Sequence, residues 1–197
     1  MRRLAGATLA LLTLAGCQTT AEAGSPADPA RLINTLASRL AEGAERTYTA
    51  EYRLAGNEIV TVVQGQKPLR TAYTHPGGKL IITPEGANQC GTQCSAIKPT
   101  PATGVPVAIP GFLTGPQAIR VLTESSLHAS GTITPSDTTL AGQHALCVKV
   151  DRYEACFTDR GVLGSFTGEV GGVKVDVVLS RYEETVAANA FDKPAGQ

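Results

Sequence analysis

The period of the apolar positions changes along this chain, and each period predicts an element. Residues 4–14 are an almost unbroken run of Leu, Ala, Gly and Thr, and residues 18–26 are small and polar. Leu32, Ile33, Leu36 and Leu40 then recur at helical spacing, one apolar stripe of an amphipathic helix. Asp28 is its N-cap, Pro29 its first residue and Gly43 its end. From Tyr48 the period drops to two. Tyr48, Ala50, Tyr52 and Leu54 alternate with Thr47, Thr49, Glu51 and Arg53, the pattern of a half-buried antiparallel strand. Three more strands are predicted at 58–64, 69–74 and 79–83, separated by turn residues such as Ala55-Gly56-Asn57 and His75-Pro76-Gly77-Gly78.

The pattern breaks between Lys98 and Pro116. Pro99, Pro101, Pro106, Pro110 and Pro116 exclude regular structure there, yet Val105, Val107, Ile109, Phe112 and Leu113 make the segment apolar. A second helix follows, capped at Thr114, with Ile119 and Leu122 inward until about Leu127. Strands then resume: a weak pair over 131–140 turning at Pro135-Ser136-Asp137, a hairpin over 147–156, a strand over 162–167 and another over 173–182. The order is helix, four strands, Pro-rich segment, helix, about five strands. Adjacent strands without crossover helices predict an α+β fold with a single antiparallel sheet, and two helices can cover only part of one face.

The chain has 197 residues, with 17 basic and 17 acidic. Without Arg2 and Arg3 the balance is 15 against 17, a net charge of −2, and no Lys/Arg cluster supplies the footprint of a nucleic-acid binder. Of the five cysteines, Cys17 stands apart, and the other four read as two disulfides. A two-residue turn at Asp151-Arg152 would pair Val150 with Tyr153 and so Cys147 with Cys156, a non-hydrogen-bonded pair whose side chains stand close. The same register sets Lys149 against Glu154. Cys90 and Cys94 would then close the small loop Gly91-Thr92-Gln93. A four-cysteine zinc site is the rival, disfavoured by the unlike spacings.

Arg2 and Arg3, the apolar run and Leu14-Ala15-Gly16-Cys17 together make an export signal. The run is too short to span a bilayer, which needs about 20 residues, and its ending resembles the lipobox of bacterial lipoproteins. That resemblance implies a signal peptide over 1–16, a diacylglycerol thioether on Cys17, a flexible tether over 17–27 and a single domain over 28–197, held at the extracytoplasmic face of the cell membrane. The whole order, from the opening helix through the strands and the segment near Val105 to the ending Asn189-Ala190-Phe191-Asp192-Lys193-Pro194, looks like the LolA-like half-barrel carriers, a family that includes lipid-binding lipoproteins of the LppX and LprG type. The resemblance implies a strongly curved sheet whose concave face holds acyl chains or another lipophile. Tyr48, Tyr52, Val105, Val107, Ile109, Phe112, Leu113, Ile119 and Leu122 are then candidate lining residues, with the segment from Val105 to Leu122 as a lid. Each of them also reads as an ordinary core side chain.

Catalytic chemistry is sparse. The three histidines, His75, His128 and His144, sit in a turn, beyond a helix and near a strand start. Ser95-Ala96-Ile97-Lys98 has the spacing of a Ser-x-x-Lys motif, but Pro99 forbids the helix that would bring Ser and Lys to one face. The expectation is a non-enzymatic lipoprotein without cofactor or metal that binds or carries a lipid or lipophile. The alternative is an envelope lipoprotein that binds or senses a protein partner whose identity the sequence leaves unknown.

Overall fold

The computed structural model describes residues 28–98, 109–129 and 133–194. The signal over 1–16, Cys17, the tether, Val105, Val107 and most of the Pro-rich segment lie outside them. Helix α1 spans Pro29–Gly43, with the Asp28 carboxylate accepting from the Ala30 N–H at 3.1 Å. Its stripe buries Ile33 and Leu36, with Leu32 and Leu40 packed beside them. Six strands follow: β1 Tyr48–Leu54, β2 Ile59–Gly65, β3 Arg70–His75, β4 Gly78–Thr83, β5 Gly86–Cys90 and β6 Cys94–Ile97. After α2, Gly115–Ser126, come β7 Thr134–Leu140, β8 Gln143–Val150, β9 Tyr153–Thr158, β10 Leu163–Val170 and β11 Val173–Glu183.

All eleven strands form one antiparallel sheet in the order β6-β5-β4-β3-β2-β1-β11-β10-β9-β8-β7. Each half of the chain is a meander, and the two meet where β1 pairs with β11. The sheet is open and curved, a half-barrel, and both helices pack on the strands β8 to β10. The main core lies between them: Leu36, Leu122, Phe157 and Phe166 are each 0% exposed.

Two features of the strand order differ from the sequence expectation. The four-strand first half has six strands, because Cys90 and Cys94 pair directly across a β5–β6 hairpin rather than closing an isolated loop. The expected strand pair with a turn at Pro135-Ser136-Asp137 is instead one continuous edge strand, β7, on which Pro135 lies opposite Val148. An edge strand has one row of N–H groups without a ladder partner, so a proline is tolerated there. The second hairpin has the predicted register, with Cys147 opposite Cys156, Lys149 opposite Glu154 and Val150 opposite Tyr153. Both disulfides are formed, so no four-thiolate set exists. Ser95 lies in strand β6, where no helix can bring it over Lys98.

The convex face has its own cover. After β11 the chain turns back and places Phe191 against Ala72, Ile81 and Cys90, with the Arg70 guanidinium 4.4 Å over its ring. The Lys79 ammonium donates to the Asp192 carbonyl at 2.7 Å. The ending that resembles the family's finish therefore seals the outside of β2 to β5 and leaves the concave side free.

Candidate ligand cavity

The helices cover β8 to β10, so the concave face of β1 to β3 needs another cover. That cover is the short strap Ile109–Leu113 that leads into α2. Phe112 stands edge-on to Tyr52 and Tyr73, with ring centroids 5.4 and 6.2 Å apart, and a Cβ on Gly111 would lie 3.6 Å from Leu54. Ile109 and Leu113 are buried on either side. The strap therefore crosses the concave groove at the level of Tyr52.

Behind it lies a cavity of about 160 Å³, bounded by the sheet, the end of α1 and the start of α2. Tyr48, Tyr52, Val62, Gln64 and Tyr73 form its floor, because alternation puts all five on the concave face of β1 to β3. Phe112 closes one side, and Leu40, Gly115 and Leu163 form the others. On the far side of the strap a more open cleft of about 390 Å³ runs along the same strands between Leu54, Val60 and Ile109. Leu54 and Val60 are the next inward positions after Tyr52 and Val62, so cavity and cleft are two parts of one groove that the strap divides.

The cavity exists because its ends are fixed backbone to backbone. Gly43 packs directly on Gly161 in the turn before β10, and a Cβ on either would collide with the other's main chain. Gly161 also has φ of +75°, a conformation that glycine adopts without strain. The chain at Ala44 stays right-handed, with φ of −63°, so Gly43 serves this contact rather than a left-handed helix end. The Arg39 guanidinium donates to the Phe157 carbonyl at 3.2 Å and pairs with Asp159 at 2.8 Å, tying α1 to the same turn.

Its electrostatics are those of a neutral, weakly polar space. None of the lining residues is Asp, Glu, Lys, Arg or His. Gln64 is 9% exposed and its amide is committed, donating to the carbonyls of Gly43, Ala44 and Arg46 at 3.1, 2.9 and 2.9 Å. The Thr114 hydroxyl and N–H both donate to Gln117 Oε1 at 2.9 Å. The tyrosine hydroxyls are different: among the described residues no group hydrogen-bonds to those of Tyr48, Tyr52 or Tyr73. Burial pushes the Tyr73 hydroxyl up to about 12. It raises Tyr48 and Tyr52 further, with the neighbouring phenols adding to the effect.

Of the candidate lining residues, Tyr48, Tyr52 and Phe112 meet at the cavity, and Ile109 lines the cleft. Leu113 and Leu122 are buried in the main core with Ile119 packed against it, away from the cavity wall. Val62, Gln64 and Tyr73 were not singled out in the sequence, although their alternation places them on the face of Tyr52. His75 borders the cleft beyond the strap, and the other two histidines stand apart from the groove. His75 Nδ1 accepts from the Gly77 N–H at 3.2 Å, and His144 lies on the surface between Asp137 and Asp159, at 3.2 and 3.0 Å. His128 follows the end of α2 and borders a separate open cleft with Asp151 and Arg152. No family model and no curated protein matches the chain.

Proposed function

We propose that this protein is a lipoprotein, anchored through Cys17 at the extracytoplasmic face of the cell membrane, that binds a lipophilic ligand in the groove under the Phe112 strap. The observation that carries this reading is the divided groove itself, an unfilled space between a curved sheet and its cover where an ordinary core would be closed, with an uncharged inner part behind Phe112 and a cleft beyond it that Glu58, His75 and Gln89 also border. Its size sets the guest. A cavity of about 150 Å³ takes a benzene ring, so the space behind Phe112 (about 160 Å³) holds one ring or a short alkyl segment. A longer chain needs the cleft beyond the strap as well (about 390 Å³). The resemblance to half-barrel carriers supports the same conclusion at the level of fold.

Docking of a protein partner has less support. Ile59, Leu69, Leu127 and Val173 are the exposed large apolar side chains among the described residues, and they lie at separate element ends rather than in one patch. Native mass spectrometry of a chain shortened to begin at Ala21, followed by organic extraction, tests the proposal. A lipophile released on denaturation is the expected result. A clean unliganded mass together with no uptake of added lipophiles would overturn it. Anchoring is tested separately: C17A should move the protein to the soluble fraction.

A further inference from the structure

We infer that the guest of this cavity is an uncharged lipophile bearing a hydrogen-bond-accepting oxygen, such as a carbonyl or ether, which the Tyr52 hydroxyl receives with Tyr48 and Tyr73 beside it. The inference rests on the reading of the groove as a lipophile site and specifies what that site selects. Tyr52 is 4% exposed and lines the cavity, and none of the described residues pairs with its hydroxyl. A guest that fills this space strips water from that hydroxyl, at a penalty that an acceptor atom on the guest removes. A purely hydrocarbon guest leaves the penalty in place, and this is how a polar-lined pocket rejects analogues that lack the matching group.

The same walls argue against charge. A carboxylate or ammonium in this space would meet no opposite charge among the lining residues, and an unpaired buried ion is far more costly than an unpaired neutral group. The start of α2 borders the cavity and favours an electron-rich atom. Its contribution is limited, because Pro116 has no N–H and the Thr114 N–H is committed to Gln117. The three phenols are held neutral by burial and neither supply nor balance a charge at ordinary pH. A neutral acceptor is the chemistry that fits all of these groups together.

Three single-ring probes of similar shape separate the possibilities: acetophenone (ring plus carbonyl), ethylbenzene (ring alone) and benzoate (ring plus charge). Each is titrated calorimetrically into the full chain in phosphatidylcholine nanodiscs, with empty nanodiscs as blank. Acetophenone should bind more tightly than ethylbenzene by about fivefold or more, the value of one net hydrogen bond, and benzoate should give no heat above the blank. The acetophenone-to-ethylbenzene ratio should fall toward one in Y52F and partly in Y73F, so the test survives if one variant fails to fold. Equal affinities for acetophenone and ethylbenzene would overturn the inference while leaving a lipophile site intact. Benzoate binding as tightly as acetophenone would overturn its neutrality. If none of the three enters the wild-type chain, the lipophile site itself is overturned, and the inference with it.

Discussion

Gln64 holds the end of α1 in a way that no capping residue in the helix does. The last carbonyls of a helix have no partners within it, and here the Gln64 amide shares its hydrogens among those of Gly43 and Ala44 and the Arg46 carbonyl beyond. Gln66 repeats the contact to Ala44 and Arg46 from a more exposed position. Q64L, which keeps the bulk and removes the donors, should lower stability by about 2 kcal/mol in denaturant unfolding. Q66L should have a smaller effect, and equal losses would mean that burial of the amide is not what matters. The tyrosines set a second expectation at this scale. Tyr48, Tyr52 and Tyr73 have raised folded-state values, burial being the main cause. Below pH about 10 these phenols are neutral in both states and impose no pH dependence. As pH rises past that point the unfolded chain loses their protons and the folded chain keeps them. Stability should therefore fall toward pH 12, where Tyr73 also begins to ionise, with a limiting slope of about 4 kcal/mol per pH unit for three groups. Thermal melts between pH 9 and 12 measure it, and the slope should shrink in Y52F.

At the scale of elements, legibility in the sequence followed how much local chemistry each element carries. The β8–β9 hairpin was readable to the residue because a two-residue turn fixes its register, and the cysteine pair and the Lys149–Glu154 pair both agree with that register. The helix α1 was readable because Asp28, Pro29 and the Leu36 stripe point the same way. Strands β5 and β6, Gly86–Cys90 and Cys94–Ile97, were not, because Gly, Asn, Gln and Ser have little strand preference and only pairing with β4 makes them strands. Strand β7 was misread as a turn because Pro135 and Asp137 are turn formers wherever no sheet edge is available. The two disulfides also differ in surroundings. Cys147 and Cys156 are each 3% exposed and pack with Ala145 under Leu140, whereas Cys94 is exposed. Replacing Cys147 and Cys156 together by Ser should cost about 3 kcal/mol in loop entropy and burial of two hydroxyls. The Cys90 and Cys94 double replacement should cost less. Chemical denaturation of the two pairs of variants would show it, and the reverse order would mean that the β5–β6 edge contributes more to folding than its exposure implies. G161A is expected to be strongly damaging, since it combines an unfavourable backbone angle with a collision at Gly43; the measurement is the soluble yield and melting temperature of the variant.

For the whole molecule, the concave face was foreseeable and its unfilled part was not. Strand alternation alone places Tyr52, Val62 and Tyr73 on one face. Which stretch of that face stays open depends on where the helices come to rest, and sequence periodicity does not encode that. They rest on β8 to β10, so the groove over β1 to β3 is left to the strap, whose Phe112 ring closes the cavity while Ile109 and Pro110 border the cleft. The arrangement predicts a length limit on guests that Phe112 enforces. Methyl hexanoate should bind the wild-type chain, and methyl decanoate should gain little over it, because its further methylenes meet the ring of Phe112 instead of an apolar wall. In F112A the cavity and cleft join, and each added methylene can be buried at about 0.8 kcal/mol. The longer ester should then bind more tightly than the shorter one by about tenfold or more. Competition of the two esters for a bound fluorescent lipophile reads the ratio directly. An unchanged chain-length profile in a folded F112A chain would mean that the two spaces do not communicate and that the strap is part of the core, not the divider of a binding groove.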